Sequence, residues 1–146
     1  MATMQRFIDA QDIYAQVVAE LRRGRKTTHW MWFVFPQIAG LGRSEMSRRY
    51  AISSAAEARE YAAHPVLGAR LRECVGIVLG LEGRTPMEIF GSPDNLKFHS
   101  SMTLFNTSVP EEPLFEASLN RFFSGQKDAE TLRRIGHRNA GADFPS

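Results

Sequence analysis

A chain of 146 residues has the length of one domain, and a composition of 43% apolar and 23% charged residues is that of a globular protein rather than a disordered one. The formal net charge of +2 is too small to argue for a nucleic-acid partner by itself, although 15 of the 18 basic residues are arginine, the better fork for phosphate and carboxylate groups. The longest uncharged apolar run falls far short of the ~18 residues of a membrane span. Residues 1–5 lack the basic start and apolar core of a signal peptide, and Cys74, the single cysteine, has no internal partner. Together these features read as a cytoplasmic protein with no membrane partner.

In chain order the segments read as helices. Residues 1–5 form a flexible N-terminus. The first helix carries Ala10, Tyr14, Val17, Val18 and Leu21 on one stripe, with Asp9 as its N-cap and Gly24 as its stop. Arg22, Arg23, Arg25 and Lys26 follow at its negative end, where cations are favoured. Next comes His29-Trp30-Met31-Trp32-Phe33-Val34-Phe35, which holds both tryptophans and is apolar at either period, so helix and strand stay open. Pro36 ends it. Gly40 and Gly42 supply a turn, and Ser44 caps a short helix with a Glu45–Arg49 pair.

A capping box at Ser54-Ala55-Ala56-Glu57 starts a helix that runs to about His64, and Pro65 suits the first turn of the following one. There Leu67, Leu71, Cys74, Val78 and Leu81 form a core stripe, and Gly76 and Gly80 would let neighbours approach closely. A buried strand over 75–81 is the competing reading. Thr85-Pro86-Met87-Glu88 is a second capping box, opening a short helix that ends at Gly91. A helix from Pro93 to about Phe105 follows, then one over 114–123 stopped by Gly125. The last is capped by Asp128, with Leu132 and Ile135 packing inward and Glu130 paired to Arg134. The expected architecture is all-α, one domain over 6–136 with eight or nine short to medium helices, and a disordered tail over 137–146.

The run Gly24-x-Lys26-x-x-His29-Trp30-Met31-Trp32-x-x-Phe35-Pro36-Gln37-x-x-Gly40-Leu41-Gly42-x-Ser44 resembles the signature of an uncharacterised bacterial family, domain of unknown function 1810. Three later blocks share the resemblance: His64-Pro65-x-Leu67-Gly68-x-Arg70-Leu71, Lys97-x-x-Ser100-Ser101-Met102-Thr103-Leu104-Phe105, and Phe123-x-Gly125-x-x-Asp128-x-x-Thr131-Leu132. It spans residues 6 to 136 and implies a single, mainly helical domain with no established activity. The Lys97-to-Phe105 segment is also similar in texture to NADAR-type domains, helical proteins that act on ADP-ribosyl groups. The N-terminal glutamate motif of those enzymes has no match before the aromatic run.

No His-x-x-x-His or cysteine pair marks a metal site, no Gly-x-Ser-x-Gly elbow marks a serine hydrolase, and no motif calls for a cofactor. Gly40-Leu41-Gly42-Arg43-Ser44 is too short for a phosphate loop and reads as a turn plus cap, with amides offered to an anion as a second reading. Cys74 lies on the core stripe and reads as an apolar filler. In the helix from Pro93, Asp94, Lys97 and Ser101 share one stripe, either the wall of a cleft or the margin of a core-facing helix. Trp30 and Trp32, about 200° apart on a helix, cannot both face one core. The candidate ligand-binding residues are Lys26, His29, Trp32, Gln37, Ser44, Lys97 and Ser101, with Asp94 and His29 as candidate catalytic groups. The leading functional expectation is a nucleotide-like small molecule held between His29, Trp32 and Gln37 on one side and Asp94, Lys97 and Ser101 on the other, with cleavage of an N-glycosidic bond as its enzymatic form. The alternative is a non-catalytic protein-interaction module. Ligand identity and oligomeric state are not readable from the residues.

Overall fold

Two clusters of aromatic side chains make up the interior, and the stretch from Trp30 to Phe35 joins them. In the computed structural model, which describes residues 4–143 and the side chains of 4–136, Phe33 meets Tyr50 while Trp30 and Phe35 turn the other way. From Tyr50 one cluster continues through Phe7, Tyr61 and Phe105 to Phe115. From Phe35 the other continues through Phe90 and Phe98 to Phe122 and Phe123. Phe35 and Phe98, 5.1 Å apart at 89°, meet edge to face, an arrangement that aromatic quadrupoles prefer.

The elements are α1 (Gln5–Ala10), a 3-10 turn (Gln11–Ile13), α2 (Tyr14–Arg22), α3 (Met31–Val34), α4 (Glu45–Arg49), α5 (Ala55–Ala63), α6 (Leu67–Leu79), α7 (Pro86–Phe90), α8 (Asp94–Ser108), α9 (Pro113–Phe123) and α10 (Ala129–Asp143). No strand occurs among the described residues; one parallel bridge joins Ile38 to Ile52. The protein is an all-α single domain. Helix α8 lies at its centre, against α5, α7, α9 and α10, and residues 100–106 are buried on every face. Two of its buried polar side chains bond their own helix, Ser100 Oγ donating to Leu96 O (3.1 Å) and Thr103 Oγ1 to His99 O (2.9 Å).

Local signals placed most helix starts correctly. Ser44 Oγ accepts from Ser47 N and Ser54 Oγ from Glu57 N, although Glu57 reaches back to the amide of Ser53 rather than to that of Ser54. The Thr85–Glu88 box is complete, with Pro86 at the first helical position. Asp128 accepts from Thr131 N and Thr131 Oγ1, and its own amide donates to Thr103 of α8, which docks the start of α10. The aromatic run forms a single helical turn, and the region after Cys74 is helix, not strand.

Several expectations are corrected. Asp9 lies inside α1 and does not cap a helix, because the chain breaks at Gln11 instead. The Gln11 side chain is drawn into the core, where its Nε2 donates to Phe33 O (2.7 Å) and Tyr61 Oη (3.0 Å). Helix α6 starts at Leu67, not Pro65, and His64 Nδ1 accepts from the Val66 and Leu67 amides. Gly76 and Gly80 are exposed; the close approach falls at Gly68, where a Cβ would lie 2.1 Å from Ala62 O. Leu132 is 37% exposed, and Thr131 fills the inward position beside Ile135. Residues 1–3 of the expected flexible N-terminus lie outside the described residues. So do the side chains of the expected tail, although the backbone of α10 continues to Asp143.

Candidate functional site

The site begins with a residue that the sequence reading passed over. Glu20, on the buried side of α2, has no exposed surface. Burial alone would push its carboxyl up, but five hydrogen bonds outweigh that and hold it well below the ordinary value of 4.5. The donors are Gln16 Nε2, the Thr27 and Thr28 amides, the Thr28 hydroxyl, and Trp30 Nε1 at 2.9 Å. The anion thereby fixes the loop from residue 25 to Trp30 and the entry into α3. The signal in the sequence was a carboxylate three residues after Val17, on the apolar stripe itself.

The same loop is tied to α7 by Lys26 N donating to Ile89 O (2.7 Å). Lys26 Nζ then reaches Asp94 Oδ2 at 2.8 Å, with only 8% of its side chain exposed, and lies 5.2 Å from the Trp30 ring. Asp94 opens α8. Its other oxygen is 3.4 Å from Lys97 Nζ, and Lys97 stands 5.1 Å over the Trp32 ring. The chain Lys26–Asp94–Lys97–Trp32 thus gathers four of the expected residues. Two ammonium groups against one carboxylate leave a formal charge of +1. Three buried polar atoms on these elements have no partner among the described residues: Trp32 Nε1, Ser101 Oγ and Asn95 Oδ1. Each such group costs about 1–3 kcal/mol if left unmade.

The other expected residues lie apart. His29 is exposed, with no hydrogen bond or ion pair among the described residues. Gln37 follows the buried Pro36 and lines a cleft of about 400 Å³ with Gly40, Gly42, Arg43, Ser47 and Arg48. Ser44 is occupied as the cap of α4, its hydroxyl donating to Ser47 Oγ at 2.9 Å. Trp30 takes Glu20 as its acceptor, not Gln37. A second concavity of about 380 Å³ is lined by Lys26 itself, with Arg25, Arg84 and the 87–91 segment. Asp94 has each oxygen engaged by an ammonium group, so in this state it anchors the two lysines. Cys74 is buried, and burial pushes its thiol up to about 12, which suits a filler and not a nucleophile. No group of three or more His, Cys, Asp or Glu suited to a metal ion occurs among the described residues, and none of their helices is long and apolar enough to cross a membrane.

The family model for a protein of unknown function, DUF1810, matches residues 1–135. The chain belongs to the DUF1810 family. The protein is similar in structure to the conserved hypothetical protein Rv1873 from Mycobacterium tuberculosis, with a TM-score of 0.89 and 48% sequence identity over 91% of this chain and 96% of that one. No curated protein matches it. Neither the DUF1810 model nor Rv1873 brings an activity with it, and neither supports the NADAR-type likeness.

Proposed function

We propose that the Lys26–Asp94–Lys97–Trp32 cluster binds a small anionic, nucleotide-like molecule. The observation that carries this reading is the position of Lys97, shared between the Asp94 carboxylate and the Trp32 ring, while the Trp32 indole N–H and, four residues along α8, the Ser101 hydroxyl are buried with no partner among the described residues. A ligand anion would compete with Asp94 for Lys97 and draw it off the indole face, freeing that face for a flat group. The unpartnered N–H and hydroxyl would supply directional bonds. In the enzymatic form, water would form a bond to the anomeric carbon of an ADP-ribosyl-type group as its N-glycosidic bond breaks, the bonding pair leaving on the nitrogen and the water's proton passing to that leaving group or to solvent. Asp94, released from Lys97, would stabilise the oxocarbenium-like state, as carboxylates do in glycoside cleavage. The segment similar to NADAR-type domains supports this form because it lies on α8, the helix that carries Asp94 and Lys97. The lone cysteine fits a cytoplasmic setting.

The test is a thermal-shift screen against nucleotides, NAD and ADP-ribose. A ligand at a hundred times its dissociation constant adds about 2.7 kcal/mol, or about 5–10 °C in a domain of this size. The shift is expected to vanish in Trp32→Ala and in Lys97→Ala, each checked as folded by circular dichroism. Retention of the full shift in both variants would remove the site from this cluster. The interaction-module reading draws on Met87 and Leu96, 52% and 60% exposed on the adjoining helices α7 and α8. It gains if no compound shifts the transition.

A further inference from the structure

Among the described residues the cleft beside Gln37 is lined by no carboxylate, and two of its side chains are guanidinium groups, Arg43 and Arg48. Six arginines elsewhere are spent on structure, since Arg6, Arg49, Arg59, Arg72, Arg133 and Arg134 each have a carboxylate within 4 Å. The guanidinium groups of Arg43 and Arg48 have neither an ion pair nor a hydrogen bond among the described residues, and both residues are exposed. A third guanidinium closes in from α10. Arg134, held through Nε to Glu130 at 2.7 Å, places Nη1 where a Cβ on Gly40 would meet it at 2.7 Å. The wall between them is the Gly40–Arg43 segment, and the amides of Gly40, Leu41, Gly42 and Arg43 donate no hydrogen bond among the described residues. Gly42 is needed for the same packing, because a Cβ there would lie 2.4 Å from Ser47 Oγ.

We propose that this cleft binds the phosphate groups of a phosphorylated small molecule. Guanidinium forks match phosphate oxygens in pairs, and two uncompensated charges call for an anion of more than one charge. A volume of about 400 Å³ exceeds that of a bare phosphate and leaves room for the group that carries it. A net charge of +2 for the whole chain argues for this small ligand over a nucleic-acid strand. The proposal goes beyond the Lys97–Trp32 reading, since none of the cleft's lining residues belongs to that cluster.

The test is isothermal titration of the full chain with pyrophosphate, inorganic phosphate and acetate. Pyrophosphate is expected to bind, phosphate more weakly and acetate not at all. Arg43→Gln and Arg48→Gln are each expected to weaken pyrophosphate binding about tenfold or more. Arg22→Gln, an exposed arginine outside the cleft, is expected to stay within about twofold of the parent. Thermal melts establish that each variant is folded. The proposal is overturned by a parent protein that does not bind pyrophosphate at millimolar concentration, by an equal loss in Arg22→Gln, or by acetate binding as well as pyrophosphate. It is equally overturned if a single-stranded oligonucleotide displaces pyrophosphate at far lower concentration than ADP does.

Discussion

Glu20 shows how one ionised side chain can order a functional segment. Its carboxylate is buried, yet it accepts from two backbone amides, a hydroxyl, an amide side chain and an indole, so the charged form is the stable one. Replacement by Gln presents an NH2 group to donors and is expected to cost about 2–3 kcal/mol at pH 7. The folded-state value lies below the ordinary 4.5, so the unfolded chain takes up the proton first as pH falls. The contribution is therefore complete above about pH 4.5 and is lost progressively below it. Thermal denaturation of the parent and Glu20→Gln from pH 7 down to pH 2.5 is expected to show a gap in melting temperature that is constant near neutrality and narrows in acid. A constant gap across the whole range would mean that the stabilisation comes from packing, not from the charge.

At the scale of the element, two glycines of α6 make the point that sequence alone does not say which glycine matters. Gly76 is exposed in mid-helix, and a Cβ there meets nothing within 4 Å. Gly76→Ala is expected to stabilise the protein by about 0.5–1 kcal/mol, the helix propensity gain. Gly68, at the start of the same helix, lets α6 touch the end of α5; a Cβ would lie 2.1 Å from Ala62 O and 2.8 Å from its carbonyl carbon. Those are backbone atoms with little freedom to move, so Gly68→Ala is expected to destabilise by about 1–3 kcal/mol or more. Denaturant titration of the two variants checks both signs at once. The periodicity that marked α6 as a core helix was legible, because Leu67, Leu71, Cys74 and Val78 recur on one face. Which neighbour lies against which glycine was not, because that depends on where α5 ends in space.

For the molecule as a whole, Phe98 is the point at which the parts meet. Its ring faces Phe35 after α3, Phe90 of α7, and Phe122 and Phe123 of α9. Phe98→Ala removes the centre of that cluster and is expected to cost about 3–5 kcal/mol. In a domain of this size that lowers the melting temperature by about 10–15 °C. A loss below about 1 kcal/mol, measured by calorimetry, would mean that the cluster of Phe35, Phe90, Phe122 and Phe123 does not depend on this ring. Because α8 also carries Asp94 and Lys97, damage at Phe98 is expected to reach the Trp32 cluster.

Chain-local chemistry determined the helical class, most helix starts and their caps. Ser44, Ser54, Thr85 and Asp128 act within three residues of themselves, so their geometry follows from the order of residues. Trp30 and Trp32 do have opposed environments, fully buried and half-buried, but not through a shared helix: Trp30 precedes α3 in a non-helical conformation with its indole on Glu20, and only Trp32 lies within the turn. Only the tertiary structure decided which charges meet. Lys26 and Asp94 are distant in sequence, yet their charged atoms lie 2.8 Å apart because Glu20 fixes the loop carrying Lys26 and its amide is tied to α7. The structure likewise placed Gln37 on the arginine-lined cleft, next to the Ile38–Ile52 bridge, and left His29 in solvent. Side chains close in sequence are placed by local geometry. Those far apart are brought together by packing of the whole core, and both the Lys26–Asp94–Lys97–Trp32 cluster and the cleft beside Gln37 are products of that packing.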